Sequence, residues 1–239
     1  MHLECIVQDA CSSDGTASYI IKTYKFVKLV SESDTGIYHA MNKAAGRATG
    51  SHLLFLNSGD LLSLKPRTCY ILPCLSDNCI SIIPLYCYQE NSLDVTQIPT
   101  EIPQTFYELV RRGICHQTAI IPKSLFYQLG YYELTYKVKA DHDFFIRAWQ
   151  QGYAFEEIKE CGLYCTWEIN SGYTTQNLLL AHIESLQLVF RYHKLLLPKS
   201  LHSMLVFLLS FCVSTIIGKL RTNDPTLDSC TSTKPYHLP

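Results

Sequence analysis

Apolar runs and amphipathic stretches take turns along the first half of the chain. Leu3 to Val7 is short and mostly apolar, and reads as a buried parallel strand. It stops at Asp9, and Cys11-Ser12-Ser13-Asp14-Gly15-Thr16 makes a turn with helix-starting residues. A helix is expected over 17–24 and a strand over 26–30. Residues 35–47 read as a second helix, with Ile37, Met41, Ala44 and Ala45 on one side. Gly50 ends it, and an apolar strand follows over 52–56. This alternation argues for an α/β layered fold with parallel strands.

The second half is less regular. A strand is expected over 80–88, and the polar stretch 89–104, with Pro99 and Pro103, reads as a loop. A short helix is expected over 106–112 and a strand over 115–121. Residues 122–129 read as a helix, with Pro122 in its first turn and Gly130 just past its end. Residues 140–151 predict a helix with Phe144, Phe145, Ala148 and Trp149 inward. The stretch 176–197 is strongly helical, with Leu179, Ile183, Leu186 and Phe190 in register. Residues 200–218 contain no Lys, Arg, Asp or Glu and are flanked by Lys194, Lys199, Lys219 and Arg221. They fall just short of the roughly 20 apolar residues that span a bilayer. Three placements stay open: at or in a membrane, on the protein's own core, or against a partner helix. Positive charge at both ends leaves no orientation signal. The tail 222–239 is polar and expected to be disordered.

Composition narrows the picture. With 47% hydrophobic and 17% charged residues, the 239-residue chain is globular. A net charge of −1 excludes the basic footprint of a nucleic-acid binder. The 11 cysteines are scattered. Cys74 with Cys79, or Cys161 with Cys165, has no second pair at zinc-site spacing, so the thiols read as buried or incidental. No secretory leader pattern opens the sequence, and a reducing cytosol is the expected compartment.

Several polar residues sit where chemistry is possible. Asp9 ends a strand, and ligands of open α/β sheets sit beyond such ends. It either accepts hydrogen bonds from a nucleotide or serves the turn. Glu32 and Asp34 precede a helix and suit its positive end. Asn42 and Lys43 on that helix can reach a diphosphate, or Lys43 can lie on a solvated face. Asn57-Ser58-Gly59-Asp60 follows an apolar strand and offers hard oxygen ligands for Mg²⁺ or Mn²⁺, unless it is merely a turn. Asp143 and Arg147 suit an i,i+4 pair, which leaves Asp141 to face a cleft as a candidate general base. His116 and Gln117 open an apolar run and add two polar side chains, for a ligand or for the structure.

In this order the segments resemble bacterial family 2 glycosyltransferases of capsule, O-antigen and exopolysaccharide assembly. Ile6 to Thr16, Ser31 to Lys43 and His52 to Asp60 carry the likeness. Cys115-His116-Gln117, Gly130-Tyr131-Tyr132-Glu133 and Ala140-Asp141-His142-Asp143 support it, over residues 3–175 in all. The resemblance implies a GT-A fold: a Rossmann-like, mostly parallel sheet flanked by helices, with a C-terminal helical extension. It implies sugar transfer, with inversion, from a nucleotide-diphosphate donor to an acceptor hydroxyl in cell-surface polysaccharide biosynthesis. Asp9 would contact the nucleotide and Asp34 the donor region, with Glu32, Asn42, Lys43, His116 and Gln117 completing the substrate site. Asn57 and Asp60 stand at the family's metal motif, where Mn²⁺ or Mg²⁺ would bind, and Asp141 aligns with the base.

The metal motif lacks carboxylates at its first and third positions. The family's first strand and helix find no match ahead of Leu3, so residues 1–175 are expected to form an N-terminally incomplete GT-A domain. Residues 176–221 would be C-terminal helices at the inner face of the plasma membrane, meeting a lipid-linked saccharide acceptor. The rival expectation is an inactive remnant serving as a membrane-associated interaction module. A nucleotidyltransferase would want a Gly-rich basic loop, and none is visible.

Overall fold

Strand β1 (Cys5–Asp9) runs into α1 (Thr16–Thr23) and returns as β2 (Val27–Ser31), which pairs with β1 in parallel. Helix α2 (Ile37–Arg47) packs on β1 and leads to β3 (His52–Leu54) and β4 (Leu61–Leu64). Then come β5 (Cys79–Ile82), β6 (Leu85–Gln89), β7 (Ser92–Ile98) and α3 (Phe106–Arg112). A 3-10 turn (His116–Thr118) precedes β8 (Ala119–Pro122) and α4 (Lys123–Gln128). The remainder is α5 (Ala140–Gln150), β9 (Ala154–Glu157), β10 (Leu163–Glu168), α6 (Tyr173–Gln176) and α7 (Leu178–Tyr192). This computed structural model describes residues 3–64, 75–89, 92–98, 102–158, 163–168 and 173–192. The chain divides into two units, Met1–Leu188 and Val189–Pro239. The candidate site lies wholly in the first.

Besides the β1-β2 pair there are two four-stranded sheets, ordered β3-β8-β5-β9 and β4-β10-β6-β7. They are mixed rather than mostly parallel: β8 runs antiparallel to both β3 and β5, and only β5-β9 and β6-β10 are parallel within them. No helical crossover separates β7 from β6, so that pair closes as a hairpin. Among the described strands β1 pairs with β2 alone, and β3 with β8 alone. The β1-α1-β2 segment also leaves Tyr19, Ile21 and Phe26 exposed.

Four expectations are corrected. The strand over 80–88 is two strands in different sheets, because Pro84 has no N–H for the ladder. The loop over 89–104 contains β7, since Pro99 bounds this strand instead of interrupting it. Residues 116–118 form the 3-10 turn, so the strand begins only at Ala119. On α7 the inward residues are Ala181, Glu184 and Leu188, while Leu179, Ile183 and Phe190 are exposed. Among the described residues no helix is long and apolar enough to cross a membrane. Residues 200–218 and the tail 222–239 lie outside the described residues.

Burial in the first unit centres on aromatic rings. Phe126 lies with its centroid 5.3 Å from Phe55, 5.0 Å from Tyr132 and 5.1 Å from Phe144. Tyr38 joins through Tyr132 at 5.2 Å. Close by, the buried ring of His142 shares its Nε2 proton with the Leu109 carbonyl at 2.8 Å. Gly113, at φ 70°, leaves room for that ring: a Cβ there would lie 3.3 Å from Nδ1.

Burial, aided by the Lys139 charge, pushes the His142 pKa below its ordinary 6.5. The unfolded chain therefore takes up this proton first. The stability linked to His142 is complete above pH 6.5 and drains away as the pH falls below it. His142→Gln, which can still donate to Leu109, should flatten the decline of the melting temperature below that pH. Parallel declines in both proteins would show that His142 is not responsible.

Candidate active site

Helix α2 starts where the chain can turn. Asp34 Oδ1 accepts the Gly36 N–H at 2.9 Å, and Gly36 takes φ 133°, a conformation L side chains rarely adopt. The helix then buries Tyr38, Met41 and Ala45. Tyr38 hydroxyl lies 2.8 Å from the Val138 carbonyl and 2.9 Å from Asp141 Oδ1, so its single proton is shared between them. Asp141 lies in the first turn of α5, where a carboxylate suits the helix dipole.

Two more elements converge on Asp141. The 3-10 turn buries His116, whose Nδ1–H donates to Asp141 Oδ2 at 3.0 Å. Beyond β3, Phe55 enters the core and the chain turns at Asn57–Asp60. Asp60 Oδ2 accepts the Asn57 N–H at 3.0 Å, and the Asp60 N–H returns to the Asn57 carbonyl at 3.1 Å. The Asn57 side-chain amide donates to His116 Nε2 at 3.2 Å. One neutral tautomer of His116 satisfies both contacts. The result is a continuous line, Asn57–His116–Asp141–Tyr38. Burial would push the Asp141 carboxyl up, but the pull of His116, the hydrogen bond from Tyr38 and the Lys139 charge together outweigh it and hold the group below its ordinary 3.8. It keeps 15% of its side-chain surface exposed.

A second cluster lies at the carboxyl ends of β1 and β2. Asp9 is buried, and its Oδ2 accepts the Ser12 N–H at 3.1 Å and the Ser31 hydroxyl at 2.6 Å. The Ser12 side chain foremost, and then the Ser31 hydroxyl, hold its pKa down. Glu32 pairs with Lys43 at 3.2 Å and Arg47 at 2.8 Å, and Lys43 foremost keeps its carboxyl low. Lys43 also donates to the Ser33 carbonyl at 2.7 Å.

Asn42 and Gln117 belong to neither group. The Asn42 amide bonds the Tyr132 N–H at 3.0 Å and the Tyr132 carbonyl at 2.9 Å, a tie between α2 and the 130–133 turn. Gln117 accepts the Cys115 thiol at 2.9 Å, and burial pushes that thiol up to about 12. An open groove of about 500 Å³ runs along α2 between His39, Lys43, Tyr131 and Glu133, and neither His116 nor Asp141 lines it. Tyr38 and Glu184 are the residues that sequence reasoning passed over. Tyr38 lies on the inward stripe with Met41 and within the Ser31–Lys43 segment.

Among the described residues no three His, Cys, Asp or Glu side chains gather as a metal site. Asn57 and Asp60 offer a carboxylate and an amide oxygen on one tight turn. Hard oxygen donors of this kind fit Mg²⁺ or Mn²⁺, which commonly share their shell with substrate phosphates.

No family model matches the chain. A PGL/p-HBAD biosynthesis glycosyltransferase of Mycobacterium bovis is 29% identical over 126 residues, covering 48% of this chain and 44% of that protein. An uncharacterized glycosyltransferase of Mycobacterium tuberculosis is 27% identical over 150 residues, covering 61% and 57%. The chain spans about half the length of these curated relatives. Among solved structures, the mannosyltransferase PcManGT of Pyrobaculum calidifontis, in complex with GDP-Man and Mn²⁺, aligns at a TM-score of 0.51. The identity is 19%, over 77% of this chain and 55% of that one, and the likeness is one of fold. Over part of its length the chain is similar in sequence to glycosyltransferases, and its fold is the α/β, Rossmann-like fold of the GT-A type.

Proposed function

We propose that the chain transfers a sugar from a nucleotide-diphosphate donor to an acceptor hydroxyl, with inversion. The observation that carries this is Asp141: an ionised, partly exposed carboxylate held by Tyr38 and His116 beside the Asn57–Asp60 turn. The acceptor oxygen would attack the anomeric carbon as its proton passes to Asp141. The bond from that carbon to the diphosphate breaks, and the diphosphate leaves with the electron pair. A single displacement inverts the centre.

The Asp9 and Glu32–Lys43 cluster, beyond the ends of β1 and β2, is where the donor would lie. Asp34 and His116 border the sugar in this reading, and Asn42 and Gln117 hold the walls. Asn57 and Asp60 would hold Mn²⁺ or Mg²⁺, which supplies charge neutralisation for the departing diphosphate. The names of the mycobacterial relatives support sugar transfer, and the GDP-Man and Mn²⁺ bound to PcManGT support this class of donor and metal. A lipid-linked saccharide in cell-surface polysaccharide synthesis is the proposed acceptor, reached from the cytoplasmic face of the membrane.

The test is calorimetric titration with UDP and GDP, each with and without Mn²⁺. Nucleoside diphosphate release from UDP- and GDP-sugars is then measured. Metal-dependent binding followed by release is expected. Absence of binding to either nucleotide at millimolar concentration overturns the reading. A second reading, a module that binds without turnover, is favoured by β1 and β3 each having one partner among the described strands. It predicts binding with no release.

A further inference from the structure

Helix α7 buries a charge where its sequence offers leucines. Glu184 is 2% exposed, whereas Leu179 is 60% exposed. A carboxylate inside a protein is costly unless it is fully hydrogen-bonded. Glu184 meets that demand with three consecutive backbone donors. Oε1 accepts the Lys137 N–H at 2.7 Å, and Oε2 accepts those of Val138 at 2.8 Å and Lys139 at 2.9 Å.

These donors lead directly into α5. The residue at its N-cap is Lys139, which has no acceptor to offer and makes no side-chain cap. Glu184, from another helix, instead holds the backbone that leads into that end. The same segment presents the Val138 carbonyl to Tyr38, and Asp141 follows two residues after Lys139. We infer that Glu184 is the positioning residue for Asp141, fixing the base through the backbone of Lys137–Lys139 and so tying the site to α7. This rests on the glycosyltransferase reading for its catalytic consequence, but not for its geometry.

The test is Glu184→Gln in the full chain, beside Leu188→Ala. Gln keeps the size but points an amide N–H at backbone donors. Leu188→Ala loosens the same helix and leaves the carboxylate in place. In Glu184→Gln, amide exchange at Lys137–Lys139 should quicken about tenfold or more, since bonds to a charged acceptor are lost. The NMR signals of the His116 ring should shift with it. Turnover should fall by about 10²-fold, as for a slightly misplaced reacting group, with UDP or GDP affinity unchanged. Leu188→Ala should lower the melting temperature without those local changes.

Unchanged exchange at Lys137–Lys139 in Glu184→Gln overturns the inference. So does acceleration spread evenly to β1 and β2, or the same local pattern in Leu188→Ala. If the wild-type chain shows no turnover, the glycosyltransferase reading fails, and the exchange and ring signals still decide the role of Glu184.

Discussion

Asp141→Asn should lower turnover by about 10²–10⁴-fold, the usual worth of a positioned general base, with nucleotide affinity unchanged. Asn is the informative substitution, because Asp141 also holds its neighbours in place. Its oxygens accept from Tyr38, His116 and the His142 N–H. Alanine would strand those buried donors at about 1–3 kcal/mol each and confuse lost chemistry with lost structure. With Asn, His116 can move its proton to Nε2 and accept at Nδ1. The Asn57 amide can then turn its oxygen to His116, so the line stays hydrogen-bonded. Only the proton acceptor is removed. A carboxyl held below 3.8 is ionised at neutrality but is a weak base. Its driving force has to come from the acceptor oxygen, which becomes more acidic as it bonds to carbon. Turnover should therefore stay flat with pH until acid conditions below 3.8, as far as Asp141 is concerned. Near-wild-type turnover in Asp141→Asn would remove Asp141 from the mechanism.

The chain shows its elements more readily than its contacts. Helix α5 was legible because Phe144, Phe145 and Ala148 repeat at helical spacing, and all three are buried. The bounds expected for α3, 106–112, match the structure, where Thr105 accepts the Glu108 N–H at the start and Gly113 follows the end. Strand β7 was hidden because polar composition between prolines looks like a loop until a partner strand is known. The α7 register was misread for a related reason. Periodicity favours whichever face carries more leucines, and it assigns no value to a carboxylate that meets three backbone donors. Asn57, His116 and Asp141 could each be named as candidates. Their convergence could not be read, because the contacts bridge 59 and 25 residues, and Tyr38 joins from 103 residues away. Tertiary topology sets such distances, and local pattern carries little of it.

Phe126→Ala should be the most destabilising of the substitutions considered, by about 3–5 kcal/mol. Phe126 is 0% exposed, and its ring meets Phe55, Tyr131, Tyr132 and Phe144 within 5.6 Å. Removing it loses the transfer energy of the ring and leaves a cavity among rings too rigid to collapse into it. Each aromatic contact adds roughly 0.5–1.5 kcal/mol beyond area, although the four share one ring and do not sum. Against a typical stability of about 5–15 kcal/mol, the loss is about a fifth or more of the total. At roughly 2–4 °C per kcal/mol for a domain of this size, the melting temperature should drop by about 6–20 °C. Phe126→Leu, which refills most of the space, should cost less. The site should respond as well. Phe55 lies two residues before Asn57, Tyr132 packs on Tyr38, and Phe144 comes three residues after Asp141. The cluster thus sets the spacing of the hydrogen-bonded line that its members flank. In Phe126→Ala, assayed well below its melting temperature, turnover should fall while nucleotide affinity at the β1 and β2 ends holds. A melting temperature within about 2 °C of wild type would mean less than about 1 kcal/mol was lost. The ring cluster would then not be the core of this unit.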